Sequence, residues 1–222
     1  MLIVEKKPKS AVSEFYRKLR TNIEYLSFDT KIKTILVTSS QSKEGKSTIC
    51  GNMALTFAEN EKKVLLLDCD LRKPTVHKLF NISNVCGLSE VLIGTKKLDE
   101  VIRTYNGKLD ILPCGTITPN PPKMIESETM GNLLESLKEI YDVIILDSSP
   151  INAVTDPQIL STKADGTILV IKKDTTKIDD VLESKKLLEK VGANIIGCIF
   201  NGTEAPGKRN YIYYVNKKTV KA

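Results

Sequence analysis

The run Ser39-Ser40-Gln41-Ser42-Lys43-Glu44-Gly45-Lys46-Ser47-Thr48 directly follows the apolar segment Thr34-Ile35-Leu36-Val37-Thr38. That is the order of a buried strand, a tight loop and the first turn of a helix. Such a loop turns backbone N–H groups inward around β- and γ-phosphates, adds a lysine as a point charge and a hydroxyl for Mg²⁺, and sits at the positive end of the helix dipole. Gly45, Lys46 and Ser47 meet the pattern G-x-x-x-x-G-K-[ST], whereas Ser40 stands in place of its first glycine. Ser42, Lys43, Glu44, Gly45, Lys46, Ser47 and Thr48 are therefore the expected phosphate-binding residues.

Two further segments end in chemistry. Lys63-Val64-Leu65-Leu66-Leu67 runs into Asp68-Cys69-Asp70-Leu71-Arg72, and Tyr141-Asp142-Val143-Ile144-Ile145-Leu146 runs into Asp147-Ser148-Ser149-Pro150. In an open parallel α/β sheet, ligands bind at the carboxyl ends of the strands. Lys46, Asp68, Asp70 and Asp147 are thus expected to converge on one nucleotide and its metal. Mg²⁺ suits such a site, because it is held by one or two carboxylates together with phosphate oxygens and water. An acid just after a strand is also an ordinary helix cap or turn former, and the neighbouring phosphate loop is what favours the metal reading.

The chain has 222 residues, enough for one domain with a sizeable core. No hydrophobic stretch approaches the length of a membrane span, and Met1-Leu2-Ile3-Val4-Glu5-Lys6-Lys7 lacks a signal-peptide core, so a cytosolic protein is expected. Cys50, Cys69, Cys86, Cys114 and Cys198 contain no C-x-x-C pair, which argues against a disulfide framework or a zinc site. They are expected to be reduced and mostly buried. The single histidine, His77, has no evident catalytic partner, which disfavours histidine-centred mechanisms. Net charge is +6, yet no acid follows Glu204, while Lys208, Arg209, Lys217, Lys218 and Lys221 do. The body is therefore near neutral and no nucleic-acid partner is expected. The basic end suits either a solvated tail or contact with an anionic membrane or acidic partner.

Strands and helices alternate after residue 31, as in a parallel sheet with helical crossovers. Strands are expected at Lys33–Thr38, Lys63–Asp68, Leu109–Leu112, Val143–Asp147, Thr167–Ile171 and Ile195–Asn201. Helices are expected at Lys46–Glu59, Thr129–Ile140 and Asp179–Val191. An N-terminal amphipathic helix, Ala11 to Ser27, places Val12, Phe15, Leu19, Ile23 and Leu26 on one face and Glu14, Arg17 and Arg20 on the other. Asn210-Tyr211-Ile212-Tyr213-Tyr214-Val215 follows the breaker cluster Ala205-Pro206-Gly207 and reads as a mobile tail able to reach an active site. The expected organisation is an N-terminal helix segment at 1–30, a nucleotide-binding domain at 31–204 and a basic tail at 205–222.

With the loop, Asp68-Cys69-Asp70-Leu71-Arg72-Lys73-Pro74, Asp147-Ser148-Ser149-Pro150, Glu14-x-x-Arg17-x-x-Arg20 and the tyrosine tail in this order, the chain resembles the bacterial tyrosine kinases of capsule and exopolysaccharide synthesis from about residue 7 onward. The resemblance implies an α/β P-loop NTPase-like fold, a mostly parallel sheet flanked by helices, with ATP and Mg²⁺ as cofactors. It assigns Lys46 to the β- and γ-phosphates and Ser47, Asp70 and Asp147 to the metal. Asp68 and Asp70 assist and orient or deprotonate an incoming tyrosine, with the base left open between them. Asn201 falls where related ATPases contact adenine, although capping a turn explains it equally well. Tyr211, Tyr213 and Tyr214 become acceptors presented in trans, and Glu14, Arg17 and Arg20 become the seam of a ring-like homo-oligomer. Members without their own membrane segment imply a transmembrane activator at the inner membrane face, with a tyrosine phosphatase and polysaccharide-synthesis proteins as antagonist or substrates. Ser149 replaces the first proline of the family's Asp-x-Pro-Pro.

Two rivals share the nucleotide motifs. A partitioning or division-site ATPase switch has a signature lysine where this chain has Gln41. A weakly catalytic ATP-binding scaffold would act by assembly alone.

Overall fold

The computed structural model describes residues 2–26 and 31–203. The expected tail, with Tyr211, Tyr213 and Tyr214, and the end of the N-terminal helix at Ser27 lie outside the described residues. Among the described residues, seven strands form one sheet: β1 Thr34–Ser39, β2 Val64–Asp68, β3 Arg103–Tyr105, β4 Leu109–Leu112, β5 Val143–Asp147, β6 Gly166–Lys172 and β7 Ile195–Asn201, in the spatial order β3-β4-β2-β5-β1-β6-β7. All pairings are parallel except β3 with β4. The helices are α1 Ile3–Lys6, α2 Ala11–Leu26, α3 Lys46–Ala58, α4 Val76–Phe80, α5 Leu88–Leu92, α6 Leu98–Val101, α7 Pro121–Glu126, α8 Glu128–Ile140, α9 Asp156–Ser161 and α10 Ile178–Lys190.

All six strands expected from sequence are present, because each is a short apolar run. β1, β2 and β5 are buried along their whole length, as a parallel sheet covered on both faces requires. Alternate residues serve opposite faces. Ile35, Val37, Leu66 and Ile145 pack with α1, α2 and α3 residues, whereas Leu36, Leu65, Leu67 and Leu146 pack with Met130, Leu134 and Leu137 of α8. Central α3 is buried almost all round, which explains its lack of a polar face. The short β3 was not legible because it is a partly exposed, three-residue edge strand without an apolar run. The short helices were missed for a similar reason: they span four to six residues, too few for a helical period to show, and α7 is set by a local cap in which Asn120 Oδ1 accepts from Lys123 N.

The orientation of α2 differs from expectation. Ser13, Tyr16 and Ile23 are buried and Leu19 packs against the core, but Val12, Phe15 and Leu26 are 42%, 47% and 48% exposed. Polar anchors rotate the helix. The Ser13 hydroxyl donates to the Lys7 carbonyl at 2.7 Å, and an Arg20 Nη1 donates to the Thr56 carbonyl at 2.9 Å, at the end of α3. Arg17 Nε donates to Glu59 at 3.2 Å. The charged stripe is therefore not turned wholly outward: Arg17 and Arg20 face the body of the protein, while the Glu14 side chain stays half exposed. Satisfying the terminal carbonyls of α1 and α3 outweighs burying three more apolar side chains.

Asp165 fastens the entry to β1. Its Oδ2 accepts from the backbone N–H groups of Lys33 and Thr34 at 2.9 and 2.8 Å, and its Oδ1 accepts from Lys138 Nζ at 3.1 Å. Burial alone would raise its pKa, but these bonds outweigh burial and hold it below the ordinary aspartate value. A depressed carboxylate contributes stability above its unfolded pKa and loses it as pH falls through the folded value. Asp165→Asn is expected to lower stability by about 1–3 kcal/mol at pH 7, and the deficit should shrink below about pH 4. Urea midpoints of both proteins across that range provide the check.

Candidate nucleotide site

The loop joining β1 to α3 is shaped by two left-handed residues, Lys43 at φ 64° and Gly45 at φ 96°. Gly45 is required twice over. Its φ lies where a Cβ is strained, and a Cβ would come within 2.2 Å of Asn201 Nδ2. Asn201, at the end of β7, donates to the Glu44 carbonyl at 2.8 Å and accepts from Gly202 N at 2.9 Å. It therefore does the work of a loop tie and turn cap here. Glu44 is fully buried, accepting from Gln41 N at 3.0 Å and from the Thr176 hydroxyl. The loop is thus held from β7 and from the connection after β6.

Lys46 opens α3 with 7% exposure, and its ammonium donates to Ser39 Oγ at 3.1 Å. Next to it, Ser47 Oγ accepts from the Thr75 hydroxyl at 2.6 Å. The acids come from neighbouring strand ends: Val37, Asp147 and Asp68 lie side by side in register on β1, β5 and β2. Asp68 is fully buried. Its Oδ2 accepts from Thr75 N and Val76 N, both at 3.1 Å, and its Oδ1 accepts from Asp70 N at 3.2 Å. The helix-capping reading of an acid after a strand is therefore realised at Asp68, alongside its place in the site. Asp70 is more open and bends its own turn by accepting from Arg72 N and Lys73 N at 3.3 and 3.0 Å.

Burial, and then the charge of neighbouring Asp147, pushes the Asp68 pKa well up. Burial also raises Asp147 to about 6, against the pull of the Ser47 hydroxyl and the Lys46 ammonium. Cys50 Sγ donates to Asp147 Oδ1 at 3.6 Å, and Asp147 Oδ2 is buried without a hydrogen-bond partner. A carboxylate oxygen left bare beside a serine hydroxyl fits a divalent cation. Among the described residues no group of three or more His, Cys, Asp or Glu forms a metal cage.

Above these groups opens a cleft of about 540 Å³ lined by Ser42, Lys43, Gly45, Lys46, Ser47, Thr48, Asp70, Lys73, Thr75 and Pro150 among others. Lys46, Ser47 and Asp70 thus reach one cavity as expected, with Asp68 and Asp147 buried at adjoining strand ends. Thr75, Cys50 and Asp156 were not among the expected site residues. Asp156 is fully buried at the start of α9 and takes a two-pronged bond from Arg72, Nε to Oδ2 at 2.8 Å and Nη2 to Oδ1 at 3.1 Å, which anchors the turn carrying Asp70. The one available signal was Thr75 just before Val76, Leu79 and Phe80 at helical spacing, a helix-start pattern. The other two depend on contacts distant in sequence, Cys50 with Asp147 and Asp156 with Arg72.

A glycine-bent loop at a helix start, with a lysine, a serine and buried acids on adjacent parallel strands, defines a P-loop nucleotide-binding protein. Comparison with known proteins narrows the class. Residues 32–193 match the family described as AAA domain. The chain is 41% identical over 217 residues to the tyrosine-protein kinase YwqD of Bacillus subtilis (strain 168), covering 97% of this chain and 92% of that protein. It is 36% identical over 214 residues to the putative tyrosine-protein kinase CapB of Staphylococcus aureus, covering 96% and 94%. The solved kinase domain of the Escherichia coli tyrosine kinase ETK superposes with a TM-score of 0.88 at 32% identity, covering 90% of this chain and 79% of that one. The chain belongs to the bacterial tyrosine-protein kinase family, within the AAA-domain fold.

Two substitutions probe the site. Gly45→Ala is expected to lower stability by about 1–2 kcal/mol and to weaken ADP binding at least tenfold, read by urea unfolding and nucleotide titration. Asp147→Asn should act in opposite directions. An acid whose folded pKa is raised destabilises the protein as pH rises through that value. With a rise from 3.8 to about 6, removing the charge should stabilise the nucleotide-free protein at pH 7 by up to about 3 kcal/mol. The same change should abolish the added stabilisation by Mg·ADP, and thermal unfolding with and without Mg·ADP measures both.

Proposed function

We propose that this chain is an ATP-dependent protein tyrosine kinase that phosphorylates tyrosines of its own C-terminal tail. The observation that supports it best is the single cleft onto which Lys46, Ser47 and Asp70 open beside buried Asp68 and Asp147. ATP is the donor substrate. The inward loop and Lys46 hold its β- and γ-phosphates and offset charge that grows on the bridging oxygen. Ser47, Asp147 and Asp70 would hold Mg²⁺, which when bound supplies further charge neutralisation. The acceptor hydroxyl attacks the γ-phosphorus, the bond to the β–γ bridging oxygen breaks, and the phenolic proton passes to a carboxylate. Asp70 is the better placed of the two candidates, because it lines the cleft whereas both oxygens of Asp68 are taken by backbone N–H groups. Positioning and charge stabilisation carry most of such a transfer, so a tail from a neighbouring molecule suffices as acceptor.

In this proposal Tyr211, Tyr213 and Tyr214 are the acceptors, and a ring of copies brings each tail to the next cleft. Glu14 is the exposed member of the α2 stripe and could pair directly with a neighbour, while Arg17 and Arg20 would first give up Glu59 and the Thr56 carbonyl. Phosphorylated tails would repel one another and loosen such a ring. Among the described residues no helix is long and apolar enough to cross a membrane. Placement at the inner membrane face, through a separate transmembrane activator, and control of capsule or exopolysaccharide synthesis complete the proposal, with a tyrosine phosphatase as antagonist. Gln41, in place of the division-site ATPases' lysine, supplies no cation to the loop.

Phosphosites mapped by mass spectrometry after incubation with Mg·ATP provide the test, for wild type, Lys46→Met and the triple variant Tyr211→Phe, Tyr213→Phe, Tyr214→Phe. Phosphate is expected on the tail of wild type alone, with Lys46→Met reducing it at least a hundredfold. A wild type that binds ATP tightly yet stays unmodified, even with an activator fragment added, would favour the scaffold.

A further inference from the structure

Ser40 occupies the place of the motif's first glycine, and phosphate binding by the loop needs no hydroxyl there. The residue is fully buried, and its Oγ lies 2.8 Å from Oγ of Ser184, itself fully buried in the middle of α10. Ser184 Oγ also lies 2.8 Å from Asn152 Oδ1 and 2.8 Å from the Asp180 carbonyl oxygen, and Asn152 Nδ2 donates to that same carbonyl at 2.9 Å. A serine hydroxyl has one proton, so Ser184 cannot donate to all three neighbours. The set closes when Ser40 donates to Ser184 and the single Ser184 proton is shared between Asn152 Oδ1 and the Asp180 carbonyl as a three-centre bond. One buried network therefore joins the phosphate loop, the turn after Asp147 and α10.

The phosphate loop and the turn after β5 are also tied by other bonds. Ile151 N donates to the Ser39 carbonyl at 2.9 Å, and the Thr38 hydroxyl donates to the Ser149 carbonyl at 2.9 Å. Those bonds fasten the roots of the two segments. The Ser40–Ser184–Asn152 network adds a further attachment through α10, which limits how far the loop and the turn can change orientation about those roots. What depends on that orientation is the spacing between Lys46 and Ser47 on one segment and Asp147 and Pro150 on the other. A ligand that bridges both segments loses affinity when supporting contacts let that spacing drift.

We propose that Ser184 is a positioning residue of the nucleotide site, acting through Ser40 and Asn152 to hold the phosphate loop in register with the turn that follows Asp147. The inference rests on the nucleotide reading of the cleft and not on phosphoryl transfer to tyrosine. It has a counterintuitive consequence: Ser40→Gly, which completes the motif, should impair the site.

Mg·ADP titration calorimetry tests this on the full chain, with wild type, Ser40→Gly, Ser184→Ala, Asn152→Ala and the double variant Ser40→Gly/Ser184→Ala, each also unfolded in urea without nucleotide. Ser40→Gly and Ser184→Ala should each raise the Mg·ADP Kd about five- to tenfold, the worth of one buried hydrogen bond. The double variant should be no worse than either single, because both remove the same link. In kinase assays KM for ATP should rise by the same factor while kcat changes less. Should Ser184→Ala fail to fold, the cycle of Ser40→Gly with Asn152→Ala reads the same coupling. Wild-type affinity in Ser40→Gly, or strictly additive losses, overturns the proposal, as does a lowered urea midpoint with Kd unchanged. A wild type that does not bind Mg·ADP overturns it together with the nucleotide reading, whereas a wild type that binds but does not phosphorylate its tail leaves the predicted Kd pattern as the deciding result.

Discussion

Parallel pairing of β1 with β5 and of β5 with β2 is the constraint on which the rest depends. Parallel strands need covered crossovers, so all three begin at one edge and deliver their following residues to the other. Because Val37, Asp147 and Asp68 fall in register, the phosphate loop and two carboxylates must arrive side by side. Neither the loop nor the acids have to find each other through their own attraction. Hydrophobic burial of the strands brings them together, and the site inherits the precision of a packed sheet.

That placement has an electrostatic consequence. Asp68 and Asp147 are fully buried, adjacent and both pushed up in pKa, and one oxygen of Asp147 has no partner. Such a pair destabilises the ligand-free protein and stores free energy that a divalent cation with phosphates can release. The backbone N–H groups of Thr75 and Val76, at the start of α4, offset part of it. The site is thus most strained where a metal would relieve it, and its surroundings, including the Arg72–Asp156 clamp, are correspondingly over-determined.

The N-terminal segment shows where pattern reading fails. Periodicity alone placed Val12 and Phe15 inward, but Leu2 and Val4 in and around α1 already fill the surface over α3, with Leu2 and Phe80 both close against Gly51. Helix α2 then satisfies carbonyls with Ser13 and Arg20 and leaves part of its apolar face open. A window of sequence carries the moment of a helix but not which of its faces the neighbouring elements have claimed. The same holds for Asn201, whose place at the end of a late strand was legible while its bond to the Glu44 carbonyl was not.

Sequence by itself determined six of the seven strands, the central helix, the glycine-bent loop and the identity of the acids, because each is encoded within a few consecutive residues: apolar runs, a required φ above zero, a charge after a strand. Tertiary structure alone decided which acid faces the cleft, where α2 turns its arginines, and what Ser40 binds, since Ser184 lies 144 positions away. Buried polar groups must find partners wherever the fold offers them. Those partners come from packing geometry, which no local stretch of the chain contains.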